Sequence, residues 1–401
     1  MIVMKKGRIK NLFLFLAMVA VVFLVSFRLG QRSMVGRAEV GNNQLDLGLM
    51  WRVKDKLRQK YLDREEMDDE EMVYGSIRGM VAALGDPYTV FLAPEENKIA
   101  EENLAGEFGG VGISLGYKDK TLAVMAPLVD TPADKAGLMA GDLIVRIIDE
   151  AEGVDKDTVG ISLGEAVQLI RGRIGSEVTL KIFREETGAP FDVVLKRDNI
   201  VVASIELEWL DKPEGRVAWV KLYKFSDRLY EEWSEVVEKI VSENNVAGVV
   251  LDLRNNPGGF LQASVVVASD FLSSGMVVKQ ESSDGKVEAY RVDESKGRLI
   301  NDKLVVLING GSASASEILA GALRDHKRAK LVGVTSFGKG TVQQPEEFGD
   351  GSGLHVTIAR WLLPSGENIS GEGVEPDVEV EYDMETEIDE QLEKAVEVLL
   401  E

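Results

Sequence analysis

Cysteine is missing altogether from this chain of 401 residues, and histidine occurs only twice, at His326 and His355. The first absence excludes disulfides, thiolate zinc sites and a lipidated N-terminal cysteine. The second leaves little room for histidine-based acid–base chemistry, so any nucleophilic catalysis has to find another base. Positive charge is also scarce, with 46 Lys and Arg against 68 Asp and Glu and a net charge of −22. That balance argues against a nucleic-acid backbone as main partner, because phosphates are bound by clustered cations that release counterions. The excess negative charge reads as solubility.

Where basic residues do cluster is the N-terminus. Lys5, Lys6, Arg8 and Lys10 precede an apolar run from Leu12 to Phe27, broken by Ser26. Such a flank is retained in the cytoplasm, so the rest of the chain is expected to be exported. The run is short for a span of about 20 residues, yet longer than the ~7–15 residue core of a cleaved signal. Gly36-Arg37-Ala38 has small residues at cleavage offsets, but Arg28 intervenes. Residues 1–30 therefore read as an uncleaved signal anchor or transmembrane segment. The catalytic part would lie outside the cytoplasm, periplasmic or extracellular, with a cleaved and secreted form as the alternative.

A chain of this length should split into two or three domains. Residues 45–84 carry helical periodicity, first with Leu49, Val53, Leu57 and Tyr61 on one face, then with Val73, Ile77, Met80, Val81 and Leu84. Gly85-Asp86-Pro87 stops the second helix, and a further short helix is expected from Glu95 and Glu96. From Glu107 to Arg197 the pattern turns to short β-like runs, at 111–115, 122–125, 143–148 and 178–183, with one helical stretch over 163–171. The Gly110-Val111-Gly112-Ile113 loop, Pro132 to Leu138 and Gly141-Asp142-Leu143-Ile144 make this module resemble a PDZ domain. In such modules loop amides hold a peptide's terminal carboxylate, and the peptide lies as an added strand beside a helix. Leu163, Val167 and Ile170 are spaced to line that groove, or equally to form the helix's core face. The acidic Asp149 to Val159 connection is long for the resemblance.

After Val201, strands and helices alternate: 217–225 extended, 230–244 helical, 246–253 extended, 261–271 helical, 304–308 extended, a helix to Asp325, and a last helix near 389–400. This βα alternation predicts crossover connections and a largely parallel sheet. Ligands gather at the carboxyl ends of such strands. Two of those ends stand out, Leu251 to Gly259 and Ile308 to Glu317.

The second contains Ser312-Ala313-Ser314-Ala315-Ser316, and Lys339 follows in a Gly-Lys-Gly turn. A serine hydroxyl needs a base, and in a chain nearly without histidine a lysine can serve if it is neutral. An exposed ammonium has a pKa near ~10.4, so burial has to lower it. Phe337, Gly338, Gly340 and Val342 flank Lys339 without an acidic neighbour in sequence. Ser314 falls near a helix start, where unpaired amides favour negative charge, so Ala315 N–H can face an oxyanion. A Gly-Gly turn such as Gly258-Gly259 supplies a second approachable amide. Ser312 reads as a helix N-cap and Ser316 as a local hydrogen bonder.

Together with Gly85 to Thr89, Phe337 to Gly340 and Gly373 to Asp377, all in order, these motifs closely resemble the carboxyl-terminal processing peptidases, or tail-specific proteases, from about Leu45 onward. The resemblance implies Ser314 as nucleophile, Lys339 as general base and Gln343 as the residue orienting the lysine. It implies Gly259 and Ala315 as oxyanion donors and Asp325 as a structural acid. Arg171 matches a position linking the PDZ module to the protease, although a solvated helix-end arginine fits its sequence context as well. The implied fold is an α/β multidomain chain, with a mostly-β PDZ module between an N-terminal helical segment and a crotonase-like α/β serine protease core. The expected boundaries are 42–104 for the helical segment, 105–198 for the PDZ domain, 199–380 for the core and 381–401 for a C-terminal helical segment. The implied function is a serine endopeptidase acting near the free C-terminus of protein or peptide substrates. No metal or organic cofactor and no nucleic acid is implied, and a homo-oligomer is compatible. A non-enzymatic PDZ scaffold and an acyl-CoA or ligand-binding protein are the rival readings.

Overall fold

The structure is a computed structural model that describes residues 46–118, 120–381 and 388–401. The anchor expected over 1–30 lies outside these residues. Among the described residues no helix is long and apolar enough to cross a membrane. The described residues fall into two units that divide between Val73 and Tyr74.

In the first unit the predicted periodicity yields a helix, Gly48–Lys60, followed by a 3-10 turn at Arg64–Glu66. Its apolar stripe stays outside: Leu49, Val53, Leu57 and Tyr61 are all exposed. Helix Asp69–Ala82 begins with Asp69, Glu70 and Glu71, which complement the positive end of its dipole. The unit boundary falls inside this helix, so the helical segment expected over 42–104 is divided between the two units.

The second unit is built on a six-stranded sheet. Its strands run in the order Ile205–Lys212, Gly215–Leu222, Val246–Asp252, Leu304–Ile308, Lys330–Gly333 and Val378–Glu379, the first pair antiparallel and the others parallel. Alternate side chains of each strand serve opposite faces. Val249, Leu251, Val306 and Ile308 pack with helices Leu229–Ser242, Leu261–Phe271 and Ala315–Asp325. Val250, Val305 and Leu307 pack with Ala395, Val396 and Leu399 of the C-terminal helix Glu390–Leu400. Both faces are covered, which is why these strands read as continuous apolar runs.

A second, antiparallel sheet joins Val90–Leu92, Gly353–Leu362, Met276–Ser282 and Val287–Arg291, with Thr341–Glu347 also paired to Gly353–Leu362. Sequence periodicity did not predict it. Its strands are half exposed and lack an apolar alternation, although Asp284-Gly285 is a readable hairpin signal.

Between strands Val90–Leu92 and Ile205–Lys212 in sequence lies the β module. Glu107–Gly110 pairs with Asp198–Val201 as a two-stranded stem. Inside it, Ile113–Lys118, Thr121–Pro127, Leu143–Asp149, Glu177–Phe183 and Phe191–Lys196 form one sheet in that order. The acidic connection after Asp149 is a hairpin, since Val154–Asp157 returns along Leu143–Asp149. It is anchored by a buried ion pair, Asp149 Oδ2 to Arg197 Nη1 at 2.8 Å. Burial alone would raise the Asp149 pKa, but Arg197 and two loop amides outweigh it and hold the carboxyl below its usual range.

Candidate active site

Three neighbouring parallel strands of the central sheet, ending at Asp252, Ile308 and Gly333, open at their carboxyl ends into the loops that carry Gly258-Gly259, Ser314 and Lys339. Adjacent strands thus deliver residues far apart in sequence to one edge. Gly258, Gly259, Ser314, Lys339 and Gln343 line a common cleft of about 700 Å³.

Ser314 occupies the N-cap of helix Ala315–Asp325 with φ 56° and ψ −113°. A left-handed φ is uncommon outside glycine and persists only where surrounding contacts hold it, at a cost on the order of 1–3 kcal/mol. The contacts come chiefly from Glu317, which is fully buried. Its Oε2 accepts from the amides of Ser314 at 2.7 Å and Lys339 at 2.9 Å. Its Oε1 accepts from Ser336 Oγ and the Gly338 amide, both at 2.6 Å. One carboxylate therefore ties the serine turn to the lysine turn. Sequence reading passed over it, although Ser-x-x-Glu before an apolar run is a recognisable capping pattern.

The N-cap expected at Ser312 sits two residues later, at Ser314. Ser312 is instead buried between loops: its hydroxyl donates to Leu253 O at 2.8 Å and accepts from Asn309 N at 3.0 Å. Nor is Ser316 a local hydrogen bonder, because its hydroxyl donates to Asn256 O at 2.9 Å, across to the neighbouring loop. Asn256 accepts there from the Ala313 amide too, and its Oδ1 accepts from Gly258 N at 2.9 Å. The glycine turn and the serine turn are in this way joined into one frame.

Gly258 and Gly259 have φ of 96° and 140°, and both sit where a side chain has no room. A Cβ at Gly258 would lie 2.8 Å from Ser314 Cβ, and one at Gly259 would lie 2.2 Å from Phe225 O. The amides of Gly259 and Ala315 donate to no acceptor among the described residues. They are thus two open donors beside Ser314, the arrangement that binds an oxyanion.

Lys339 is desolvated in the cleft, and burial lowers its pKa from the ordinary lysine value, against Glu317 and Asp86, which pull it back up. Its sequence neighbours showed no acid, yet the fold brings two within electrostatic reach. Phe337 does not shield it, being 55% exposed. Shielding comes from segments remote in sequence, among them Tyr88, whose ring centroid is 5.3 Å from Nζ. His355 also lines the cleft, and burial lowers its pKa from the ordinary histidine value, with Lys339 acting in the same direction and Glu101 against it.

Gln343 lies on strand Thr341–Glu347 at a register shift, where the partner strand Gly353–Leu362 carries one extra residue between Thr357 and Ala359. Its Nε2 donates to Thr341 Oγ1 at 2.9 Å and Thr357 Oγ1 at 3.1 Å, which leaves its carbonyl oxygen as the remaining acceptor. Among the described residues no hydrogen bond joins Ser314 Oγ, Lys339 Nζ and Gln343. Asp325, at the end of the helix, accepts from the Ser365 amide at 2.9 Å, away from the cleft.

In the β module, Gly112 has φ 76°, and the amides of Val111 and Gly112 donate to no group among the described residues. Gly110 belongs to the stem and Ile113 opens the next strand. Leu163 is exposed and Val167 half-buried on helix Leu163–Ile170. Ile170, expected on the groove, turns inward and is 5% exposed in the module's core. Arg171 is neither in the groove nor solvated. Its guanidinium stacks 3.7 Å over the Phe108 ring, donates to Asn103 Oδ1 at 3.1 Å and lies 3.6 Å from Glu102. It thereby joins the module to the helix Pro94–Ala105, which contributes to the cleft wall.

A mixed α/β body that brings a serine, a lysine and two open amides to one sheet edge suits one class of chemistry, acyl transfer, to which the hydrolases that cut peptide bonds belong. Known proteins place the chain within that class. The family model "Peptidase family S41" matches residues 216–380, and "Activating protease CtpB N-terminal domain" matches 35–96. A carboxy-terminal-processing protease of Bartonella bacilliformis is 38% identical over 318 residues, 78% of this chain and 70% of that one. The carboxy-terminal processing protease CtpA of Bacillus subtilis is 32% identical over 359 residues, 89% of this chain and 74% of that one. Among solved structures, the photosystem II D1 C-terminal processing protease superimposes with a TM-score of 0.52 at 32% identity, covering 88% of this chain and 92% of that one. The chain belongs to peptidase family S41, with the carboxy-terminal processing proteases.

Proposed function

We propose that this protease is a serine endopeptidase in which Ser314 attacks the scissile carbonyl and Lys339, as a neutral amine, takes the hydroxyl proton. Gly259 and Ala315 N–H groups would receive the oxyanion, and the collapse of the tetrahedral species would return the proton to the leaving amine. Water would then release the acyl-enzyme by the same route. Gln343 would orient the lysine through its carbonyl oxygen, which accepts from a neutral amine without stabilising the cation as strongly as a carboxylate does. The observation that carries this reading is the shared cleft: three adjacent strand ends bring Ser314, a desolvated Lys339 and two unpaired amides together. Because serine and lysine are not hydrogen-bonded in the free enzyme, bound substrate completes the alignment.

The module between residues 105 and 198 is read as a PDZ domain that captures a substrate's free C-terminus. Its open Val111 and Gly112 amides would hold the carboxylate, with Gly110 and Ile113 shaping the loop and Leu163 and Val167 lining the groove. Arg171 would couple that event to the cleft wall through Asn103 and Glu102. Residues 199–380 form the crotonase-like catalytic core of this reading, 42–104 its helical entry and 381–401 its closing helix. Residues 1–30 would anchor it in a membrane, with the catalytic part outside the cytoplasm.

The test is cleavage of a C-terminally tagged protein by the purified chain. Ser314→Ala and Lys339→Ala should each reduce turnover to background, roughly 10⁴-fold or more, while a free-carboxylate peptide still binds and its amidated form does not. Turnover surviving in either variant would sink the Ser-Lys assignment.

A further inference from the structure

The cleft that holds Ser314 contains a second lysine. Lys224 follows strand Gly215–Leu222 and immediately precedes Phe225, whose amide donates to Gly258 O at 3.0 Å and whose carbonyl accepts from Phe260 N at 2.7 Å. Lys224 is therefore fixed, through its backbone neighbour, to the same glycine turn that flanks the serine. Its side chain is half-buried and lines the cleft.

Several lysines of this acidic chain sit beside carboxylates, among them Lys156 beside Glu165, Lys181 beside Asp192 and Lys221 beside Glu206. Lys224 does not. Among the described residues its ammonium makes no ion pair and no hydrogen bond, and the charged group that acts on it, Arg171, is of the same sign. Arg171 has its own contacts with Phe108, Asn103 and Glu102, and as a like charge it adds to the cost of the Lys224 ammonium. Among the described residues no Asp or Glu lines the cleft at all, despite the net charge of −22. A partly desolvated cation with no counter-charge is unfavourable in the free protein and becomes favourable when a ligand supplies the charge.

We propose that Lys224 is a specificity residue that pairs with a carboxylate of the bound polypeptide next to the scissile bond. The inference rests on the cleft being the site of cleavage. Two sources offer that chemistry, an Asp or Glu side chain beside the cut and the terminal carboxylate of a short tail. The apolar Phe260, Leu261, Tyr290 and Trp361 around the cleft would exclude water from the pair and strengthen it.

The test uses the full chain and a peptide set with one cleavable core, in which each residue flanking the cut is Glu, Gln or Lys in turn. A truncation series ends at the same positions with a free or an amidated terminus. The expected result is a kcat/KM preference of about tenfold to a hundredfold for Glu over Gln at one flanking position, or for the free over the amidated terminus, as a charge-assisted hydrogen bond supplies. Whichever arm shows it identifies the source. Lys224→Met should level the pair of rates, Lys224→Arg should keep the preference and Lys224→Glu should turn it toward Lys. Each readout is a ratio between two peptides on one preparation, so partial misfolding of a variant does not mimic it. Equal rates for all charges in the wild type, or a preference that survives Lys224→Met, overturns the proposal. Unselective cleavage that still requires Ser314 would leave the proposed function standing and remove only the role of Lys224. No cleavage of any peptide by the wild type would instead remove the function on which the inference rests.

Discussion

Two glycine turns in this molecule present unpaired backbone amides, and they are held in different ways. In the β module, Gly112 takes the left-handed φ itself, and the Leu128 amide donates to Gly112 O at 2.9 Å to keep the turn closed. In the protease body Gly258 and Gly259 also take positive φ, but the turn packed against them puts Ser314, a residue with a side chain, at φ 56°, and that residue is held by Glu317, Asn256 and the glycine turn. A turn that has only to offer amides can let glycine absorb the conformation. A turn that must also aim a hydroxyl carries strain, and buried hydrogen bonds are needed to maintain it.

The comparison can be broken first at Gly259. Alanine there would bring a Cβ to 2.2 Å from Phe225 O at φ 140°, so the amide cannot keep its place. Gly259→Ala is expected to lower kcat roughly 10²–10³-fold, the worth of an oxyanion donor, with little change in tail-peptide affinity, which steady-state kinetics and peptide titration would separate. A similar kcat and a weakened peptide would mean that the turn serves binding only.

Next comes the carboxylate that holds the strain. Glu317→Gln keeps the shape but turns an acceptor into a donor facing amides, and the loss of a charge-assisted bond should reduce kcat by about 10–100-fold. Thermal unfolding should shift down as well, since the group is fully buried. Unchanged kcat in a destabilised protein would show that Glu317 supports the fold alone.

Gly112→Ala sharpens the other side. Its Cβ would meet Thr131 at 2.3 Å, so binding of a free-carboxylate peptide should weaken by about tenfold, the loss of one good hydrogen bond, while cleavage of a saturating substrate persists. The smallest effect concerns pH. In the proposed mechanism Lys339 would act as a base only when neutral, so activity should rise as pH passes upward through its lowered pKa. Asp86 favours the ammonium form. Asp86→Asn should therefore move the acid limb of the kcat/KM profile to lower pH, and a shift to higher pH would contradict the electrostatic placement of Asp86.

Much of the scaffold could be read before folding. The βα alternation after Val201 foretold the parallel sheet, because strands covered on both faces are apolar throughout, and the helix over 261–271 lies where it was expected. The antiparallel sheet of 276–291 and 341–362 could not be read that way, since its half-exposed strands carry no apolar rhythm. In the site, Ser314 and Lys339 stood out by residue type and turn context. Ser312 and Ser316 were misread because their partners, Leu253 and Asn256, sit on a loop about 60 residues earlier. Ile170 was ambiguous for a related reason: helical spacing does not say which side of a short helix faces the core.

Residue chemistry and local pattern were the sequence's own contribution: a chain without cysteine and nearly without histidine, glycines at the turns, a serine before a helix and a lysine between glycines. Tertiary structure alone decided what those groups can do. The amides of Gly259 and Ala315 are open because neighbouring loops leave them unpaired, Lys339 is desolvated because Tyr88 and its neighbours close over it, and Lys224 faces the same cleft without a counter-charge. Reactivity depends on which water and which charges are kept away, and those are set by segments that meet only once the chain has folded.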